Sequence, residues 1–214
     1  MILRNTGRWR ARAISGASRG LVWVLMASPL CLEGVPLLWL GLGPDPALAI
    51  LKLTGIWAMW ALGVVLLLTP IQLLASWPGL ASVRRLIGLW TFFYAAVHAL
   101  AYVAFDQGFD FTFVVADALA RPMIAVGWVA TLIMSWMAAT SNAASIKALG
   151  FRRWKHLHRG LYVAAGLAWL HLYWVHSGKQ TWSDVVFFGL WFGLALLFRL
   201  MWFARARLGK HTRG

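Results

Sequence analysis

Leu86-Ile87-Gly88-Leu89-Trp90-Thr91-Phe92-Phe93-Tyr94-Ala95-Ala96-Val97-His98-Ala99-Leu100-Ala101-Tyr102-Val103-Ala104-Phe105 carries no formal charge and one imidazole. At about 1.5 Å per residue, such a run crosses a hydrocarbon core of about 30 Å as a single helix. Five further apolar runs flank it, at 21–42, 53–75, 123–140, 157–175 and 185–203. The pattern predicts an all-α, polytopic membrane protein built as a six-transmembrane-helix bundle. The connections are short and hold turn residues, as in Gly43-Pro44-Asp45-Pro46 and Trp77-Pro78-Gly79, with the others at 106–121, 141–156 and 176–184. They leave no room for a soluble domain, so the chain divides into an arm (1–20), a membrane domain (21–204) and a tail (205–214). The first run is too long for a signal peptide and lacks a small-residue cleavage site, so it is expected to remain as a span.

Composition agrees with this reading. Apolar residues make up 61% of the chain, above the roughly 45–50% of soluble proteins. Only 12% are charged, and there are 15 tryptophans, which suit a membrane interface. The net charge of +14 comes from 20 Lys and Arg against 6 Asp and Glu, and its placement sets the orientation. Arg4, Arg8, Arg10, Arg12 and Arg19 precede the first run. Arg84 and Arg85 follow the second, Lys147, Arg152, Arg153, Lys155 and Arg159 lie around the 141–156 connection, and Arg199, Arg205, Arg207, Lys210 and Arg213 end the chain. The opposite side keeps only Lys52, Arg121 and Lys179, beside Asp45, Asp106, Asp110, Asp117 and Asp184. The positive-inside rule then puts both termini in the cytoplasm. The basic arm and tail read as topology determinants and anchors for anionic lipid, with no nucleic-acid surface. The arm, with Trp9 and Ile14 among its arginines, fits either an interfacial helix or a disordered segment. No repeat of the kind that marks secondary transporters is legible.

Ionisable groups within a span are costly and usually functional. The candidates are Glu33, His98, His171 and His158. Counted from the cytoplasmic ends of their runs, His98 and His171 lie about 18 and 21 Å deep, on helices that are not neighbours in sequence. Two neutral imidazoles facing each other in a bundle core are what a six-coordinate haem b requires. Ala95, Ala96, Gly166 and Ala168 would let a flat ring approach. Hydrogen bonding within a packed bundle, a proton relay or an ion site fit the same residues. His158, about 20 Å before His171 on one continuous helix, cannot share its iron. It belongs to a second site or a structural role, and a second haem there, with no third-span histidine at that depth, would need another ligand or remain five-coordinate. His156 reads as interfacial, and His176 and His211 are weak ligand candidates. Glu33, between Pro29 and Pro36, suits a quinone or proton path or a capped kink. The single cysteine, Cys31, excludes an intramolecular disulfide, a Cys-rich iron–sulfur site and c-type haem attachment.

Thr54-Gly55, Leu68-Thr69-Pro70, Arg84-Arg85-Leu86-Ile87-Gly88-Leu89-Trp90, His98, Arg121-Pro122, Thr140-Ser141, Trp154, Leu157-His158, Tyr162, His171 and Tyr173-Trp174 stand in an order and spacing that resembles a known family. This is the haem-binding membrane subunit of bacterial periplasmic methionine sulfoxide reductase systems (the MsrQ or YedZ family), within the ferric-reductase-like transmembrane superfamily. The resemblance runs from the second apolar run to the end of the fifth. It implies a multi-pass protein of the bacterial inner (cytoplasmic) membrane, with haem b on His98 and His171 as axial ligands and His158 as an inner-side ligand or a flavin or haem auxiliary. It also implies that electrons arrive from a cytoplasmic flavin reductase with FMN, or from quinol, and leave to a periplasmic molybdenum-cofactor methionine sulfoxide reductase that repairs oxidised envelope proteins. The superfamily commonly places two histidines on each of two helices, and this sequence lacks one of the four.

No flavin fingerprint is present, and the cytoplasmic loops are too short for a flavin domain. Arg84, Arg85, Arg152 and Arg153 are candidates for holding haem propionates or flavin phosphate, and equally serve as positive-inside determinants. With no molybdenum site and no reactive thiol, the chain is expected to be an electron-transfer subunit rather than a catalyst on its own. The rival readings are a stand-alone ferric or quinone reductase, a proton relay or transporter using Glu33 and the histidines, and a structural subunit without cofactor. The acidic third external loop (Asp106, Asp110, Asp117) suits partner docking or simple solvation.

Overall fold

The computed structural model describes residues 16–39, 45–75, 80–177 and 181–211, and every regular element among them is helical. The arm up to residue 15, including Trp9 and Ile14, lies outside the described residues. Helix α1 (Gly16–Pro29) passes through a π-helical turn (Leu30–Gly34) into α2 (Val35–Trp39). Pro29 has no N–H for the carbonyl of Leu25, and the Ser28 hydroxyl donates to that oxygen at 2.9 Å instead. Helix α3 (Pro46–Ala75) runs 30 residues and α4 (Leu80–Ala101) returns beside it, ending in a second π-turn (Tyr102–Asp106). The remaining helices are α5 (Phe111–Ala120), α6 (Pro122–Ala139), α7 (Ala143–Leu149), α8 (Phe151–Leu157), α9 (Gly160–His176) and α10 (Ser183–His211).

Among the described residues, four helices are long and apolar enough to cross a membrane: Pro46–Ala75, Val83–Asp106, Pro122–Ala139 and Ser183–Arg205. Their surfaces show it, because Leu190, Leu194, Leu197 and Leu200 on α10 and Leu132 and Trp136 on α6 are exposed, an arrangement suited to lipid rather than water. The most extensive pairings are α3 with α4 and α6 with α9, while α10 closes against α3 and α9. The main core joins Leu62 and Leu66 of α3, Ile87 of α4, Leu161 and Ala165 of α9, and Phe188 and Phe192 of α10. The acidic residues Asp45, Asp106, Asp110, Asp117 and Asp184 gather where α3, α6 and α10 begin, and we call this the acidic end. The other is the basic end.

Three expectations from the sequence need correction. The 106–121 connection holds helix α5, whose N-cap Asp110 accepts from the N–H groups of Thr112 (2.8 Å) and Phe113 (3.3 Å). The 141–156 connection folds into α7, capped by Asn142 on the N–H of Ser145 at 2.8 Å, and α8. Gly150 sits between those two at φ +73°, a conformation that favours glycine. His158 is not part of the fifth apolar helix: it caps the end of α8, and α9 starts at Gly160.

At the acidic end Asp117 is held by the Arg121 guanidinium through two hydrogen bonds, and accepts a third from the Tyr102 hydroxyl at 2.5 Å. Arg121, then Tyr102, holds the Asp117 carboxyl below the usual carboxylate range. The stabilisation this clasp gives is present above about pH 4 and is lost as pH falls through the lowered folded value. Asp117→Asn is therefore expected to cost roughly 1 kcal/mol or less, because the pair is partly exposed. Amide exchange over residues 107–121 should speed up in that variant at pH 7 and in the parent on acidification. Asp110 as a cap and Asp117 in the clasp give two of the three loop aspartates a local structural role.

Candidate haem-ligand site

His98 on α4 and His171 on α9 meet across the bundle, with ring centroids 6.2 Å apart and planes at 83°. Each ring is tied by its Nδ1 to a backbone carbonyl, His98 to Leu51 at 3.0 Å and His171 to Met123 at 2.7 Å. A carbonyl only accepts, so each Nδ1 carries the proton and each Nε2 keeps its lone pair. Metal-ligating histidines have this arrangement, in which the second nitrogen fixes tautomer and orientation. The Thr54 hydroxyl, which donates to the carbonyl of Ile50 at 2.7 Å, also lies 3.5 Å from Nδ1 of His98.

The two rings lie where they do because two glycines leave space for them. A Cβ at Gly55 would stand 3.1 Å from Cε1 and Nδ1 of His98, and one at Gly127 would stand 3.0 Å from Nδ1 of His171. In each case the accepting carbonyl comes from the residue four positions before the glycine. The pair α3–α4 and the pair α6–α9 thus use the same device, with 47 residues from Leu51 to His98 and 48 from Met123 to His171. Sequence reading finds no repeat, and the structure shows this local one.

The dimensions suit one metal ion between the rings. An imidazole nitrogen stands about 2 Å from a metal it ligates and about 1 Å from its own ring centre, so two opposed ligands have centroids roughly 6 Å apart. Among the described residues no three side chains of metal-ligating type gather, so the pair offers two ligands and a porphyrin would supply the rest. Of the small residues singled out from the sequence, Ala95 packs with Met134 and Ala164, and Ala168 packs against the main core. Gly166 faces open space. The glycines that matter for the rings are Gly55 and Gly127. Gly127 is not marked by composition or motif.

The other candidates lie at or toward the basic end, except Glu33. His158 Nε2 is 3.4 Å from the Thr140 hydroxyl, and its ring lies 4.2 Å from that of Trp154. The Trp154 indole N–H donates to the carbonyl of Thr140 at 3.0 Å. Burial, then the charge of Arg84, holds the His158 imidazole below its usual proton affinity. Of the four arginines named from the sequence, Arg84 is half-buried near His158, whereas Arg85, Arg152 and Arg153 are exposed. Glu33 sits in the first π-turn and accepts from the Trp57 indole at 3.3 Å. Arg199, read from sequence only as a topology charge, is buried in the bundle and was missed as a candidate.

A family profile described as "Ferric reductase like transmembrane component" matches residues 54–169. Among curated proteins, the chain is 39% identical over 159 residues to the "Protein-methionine-sulfoxide reductase heme-binding subunit MsrQ" of Polaromonas naphthalenivorans, covering 74% of this chain and 73% of that protein. The protein of the same description from Herminiimonas arsenicoxydans is 37% identical over 161 residues, covering 75% and 74%. That from Ralstonia nicotianae is 36% identical over 203 residues and covers 92% of each chain. No solved structure gives a significant match.

Proposed function

The chain belongs to the ferric reductase like transmembrane family and, within it, to the MsrQ heme-binding subunits, and from that membership we propose a transmembrane electron-transfer role on haem b held by His98 and His171. The observation that carries the ligand assignment is the imidazole pair, with ring centroids 6.2 Å apart and both Nδ1 atoms committed to carbonyls. Held there, haem b supplies a one-electron ferric–ferrous couple. The chain's own part is to fix both rings in one tautomer, to keep water from them with apolar helices, and to tune the couple through imidazole basicity.

We read the bundle as six spans with both termini cytoplasmic, adding the run from α1 through the π-turn to α2, and α9, to the four long apolar helices. The charge asymmetry supports that orientation and the bacterial inner membrane as the location. In this reading electrons enter at the basic end from a cytoplasmic flavin reductase with FMN, or from quinol. They leave at the acidic end to a periplasmic molybdenum-cofactor methionine sulfoxide reductase. His158 then serves as an inner-side ligand or as an auxiliary to flavin or haem. Arg84, Arg85, Arg152 and Arg153 meet propionate or phosphate groups there by charge-assisted hydrogen bonds.

Absorbance of the detergent-purified protein before and after dithionite, with a pyridine haemochrome count, tests the reading. The expected result is a sharp reduced α-band of b-type haem. A colourless protein after expression with ample haem would overturn it. His158→Ala is expected to keep the haem held by the other two histidines, so any fall in the count reports a separate inner site.

A further inference from the structure

Pro70 lies within α3 and has no N–H to offer the carbonyl of Leu66. That oxygen is taken by Arg199 of α10, whose Nη2 donates to it at 2.5 Å while Nη1 donates to the Tyr162 hydroxyl of α9 at 2.7 Å. The guanidinium carbon also stands 5.2 Å from the centre of the Tyr162 ring. Arg199 is 3% exposed, so it lies inside the bundle and not on its surface as a topology charge would. Its Nε is buried without a hydrogen-bond partner, as is the Thr69 hydroxyl one turn beyond Leu66 on α3.

The nearby charge has the same sign. Arg84 feels the charge of Arg199 and lies near Tyr162. All six acidic residues of the chain lie elsewhere: the five aspartates gather at the acidic end, and Glu33 is in the first π-turn, bonded to Trp57. The ion pair among the described residues is Arg121 with Asp117, and the His176 ring lies 3.9 Å from the Asp184 carboxylate. A buried charge without a counter-charge is expensive, and the half-buried Arg84 adds a second charge of the same sign. Leu66 is eleven residues beyond Gly55, about 16 Å along α3, so this region is separate from the histidine pair.

We propose that Arg199, Arg84 and Tyr162 form an internal oxyanion site in the basic half of the bundle, which takes a carboxylate or phosphate group from a bound non-protein molecule. Guanidiniums suit either group, through paired N–H donors and full charge. Three sources share this chemistry: a porphyrin propionate at an inner site, a flavin phosphate, and a phospholipid headgroup. The site goes beyond the histidine assignment and does not depend on it.

The test uses the full chain, expressed with haem and flavin supply and extracted in mild detergent. Haem by pyridine haemochrome, flavin by acid extraction and tightly held phosphatidylglycerol by mass spectrometry are counted per protein. Arg199→Gln keeps a donor and removes the charge. It is expected to lower one of the three ratios at least about fivefold at an unchanged melting temperature, with Arg199→Lys restoring most of it. The component lost identifies the source. If haem stays bound, a propionate source shows instead as a lower midpoint potential, since removing a cation disfavours the reduced form. A tenfold change in that equilibrium is about 59 mV for one electron. Tyr162→Phe, which removes one oxygen only, is expected to give a smaller change of the same kind and decides the matter if Arg199→Gln does not fold. Wild-type ratios and potential in a folded variant would overturn the proposal. A colourless parent protein would refute the haem reading while leaving the flavin and lipid arms to test this site.

Discussion

Replacing either His98 or His171 with alanine is expected to empty the protein of its paired-imidazole haem, with the reduced α-band of that haem lost in both variants. Changing groups that merely orient a metal ligand costs about 10–100-fold in affinity, and removing the ligand costs at least that. The two variants should behave alike, because in the proposed assignment each ring supplies one of the two protein ligands and the two sit in equivalent surroundings, Nδ1 on a carbonyl and a glycine behind. The helices should survive, since neither ring belongs to the main core of Leu62, Leu66, Phe188 and Phe192. Retention of haem by one single variant would remove that residue from the ligand pair.

The second large effect involves no ligand atom. Gly127→Val would drive a branched side chain into the His171 ring, because even its Cβ would stand 3.0 Å from Nδ1. Helix backbone holds the Cβ in place, so the imidazole must move, and with it the 2.7 Å bond to Met123. Haem affinity is expected to fall about 10–100-fold, with a smaller loss in Gly127→Ala and a parallel series at Gly55. Gly193→Ala, where open space surrounds the added carbon, should retain full haem. Titration of the apoprotein with haem, followed by absorbance, gives the comparison. Equal affinity in Gly127→Val and the parent would show that His171 has other room to sit.

The uncharged run at 86–105 and its counterparts announce their helices because lipid selects composition over long stretches, and the observed helices differ from those runs chiefly at their ends. Helix α10 continues to His211, about two turns past the apolar run. Phe111–Ala120 was hidden because ten residues are too few to span a membrane, although Asp110 was available as a cap signal. The start of α9 falls three residues later than the apolar run suggests, because that run continues through Arg159-Gly160, where α8 has ended and α9 begins. The histidine pair was legible from depth alone. Its carbonyl anchors were not, since Leu51 and Met123 contribute backbone oxygen that any residue would supply. The similar separations from Gly55 to His98 and from Gly127 to His171 were the signal on offer. Arg199 was unreadable for another reason, since a cation near a span's end looks the same whether it turns to headgroups or to the Leu66 carbonyl freed by Pro70.

The divided origin of the histidine pair bears on how the protein is made. His98 is fixed against α3 early in synthesis, but its counterpart lies 73 residues further along the chain, roughly 4–15 s later at ordinary elongation rates. With the proposed ligand pair, a nascent chain offers a single imidazole until α9 docks on α6 and is expected to hold its cofactor weakly. Tight loading therefore waits for a nearly complete chain, and products truncated before α9 should leave the ribosome uncoloured and open to proteolysis.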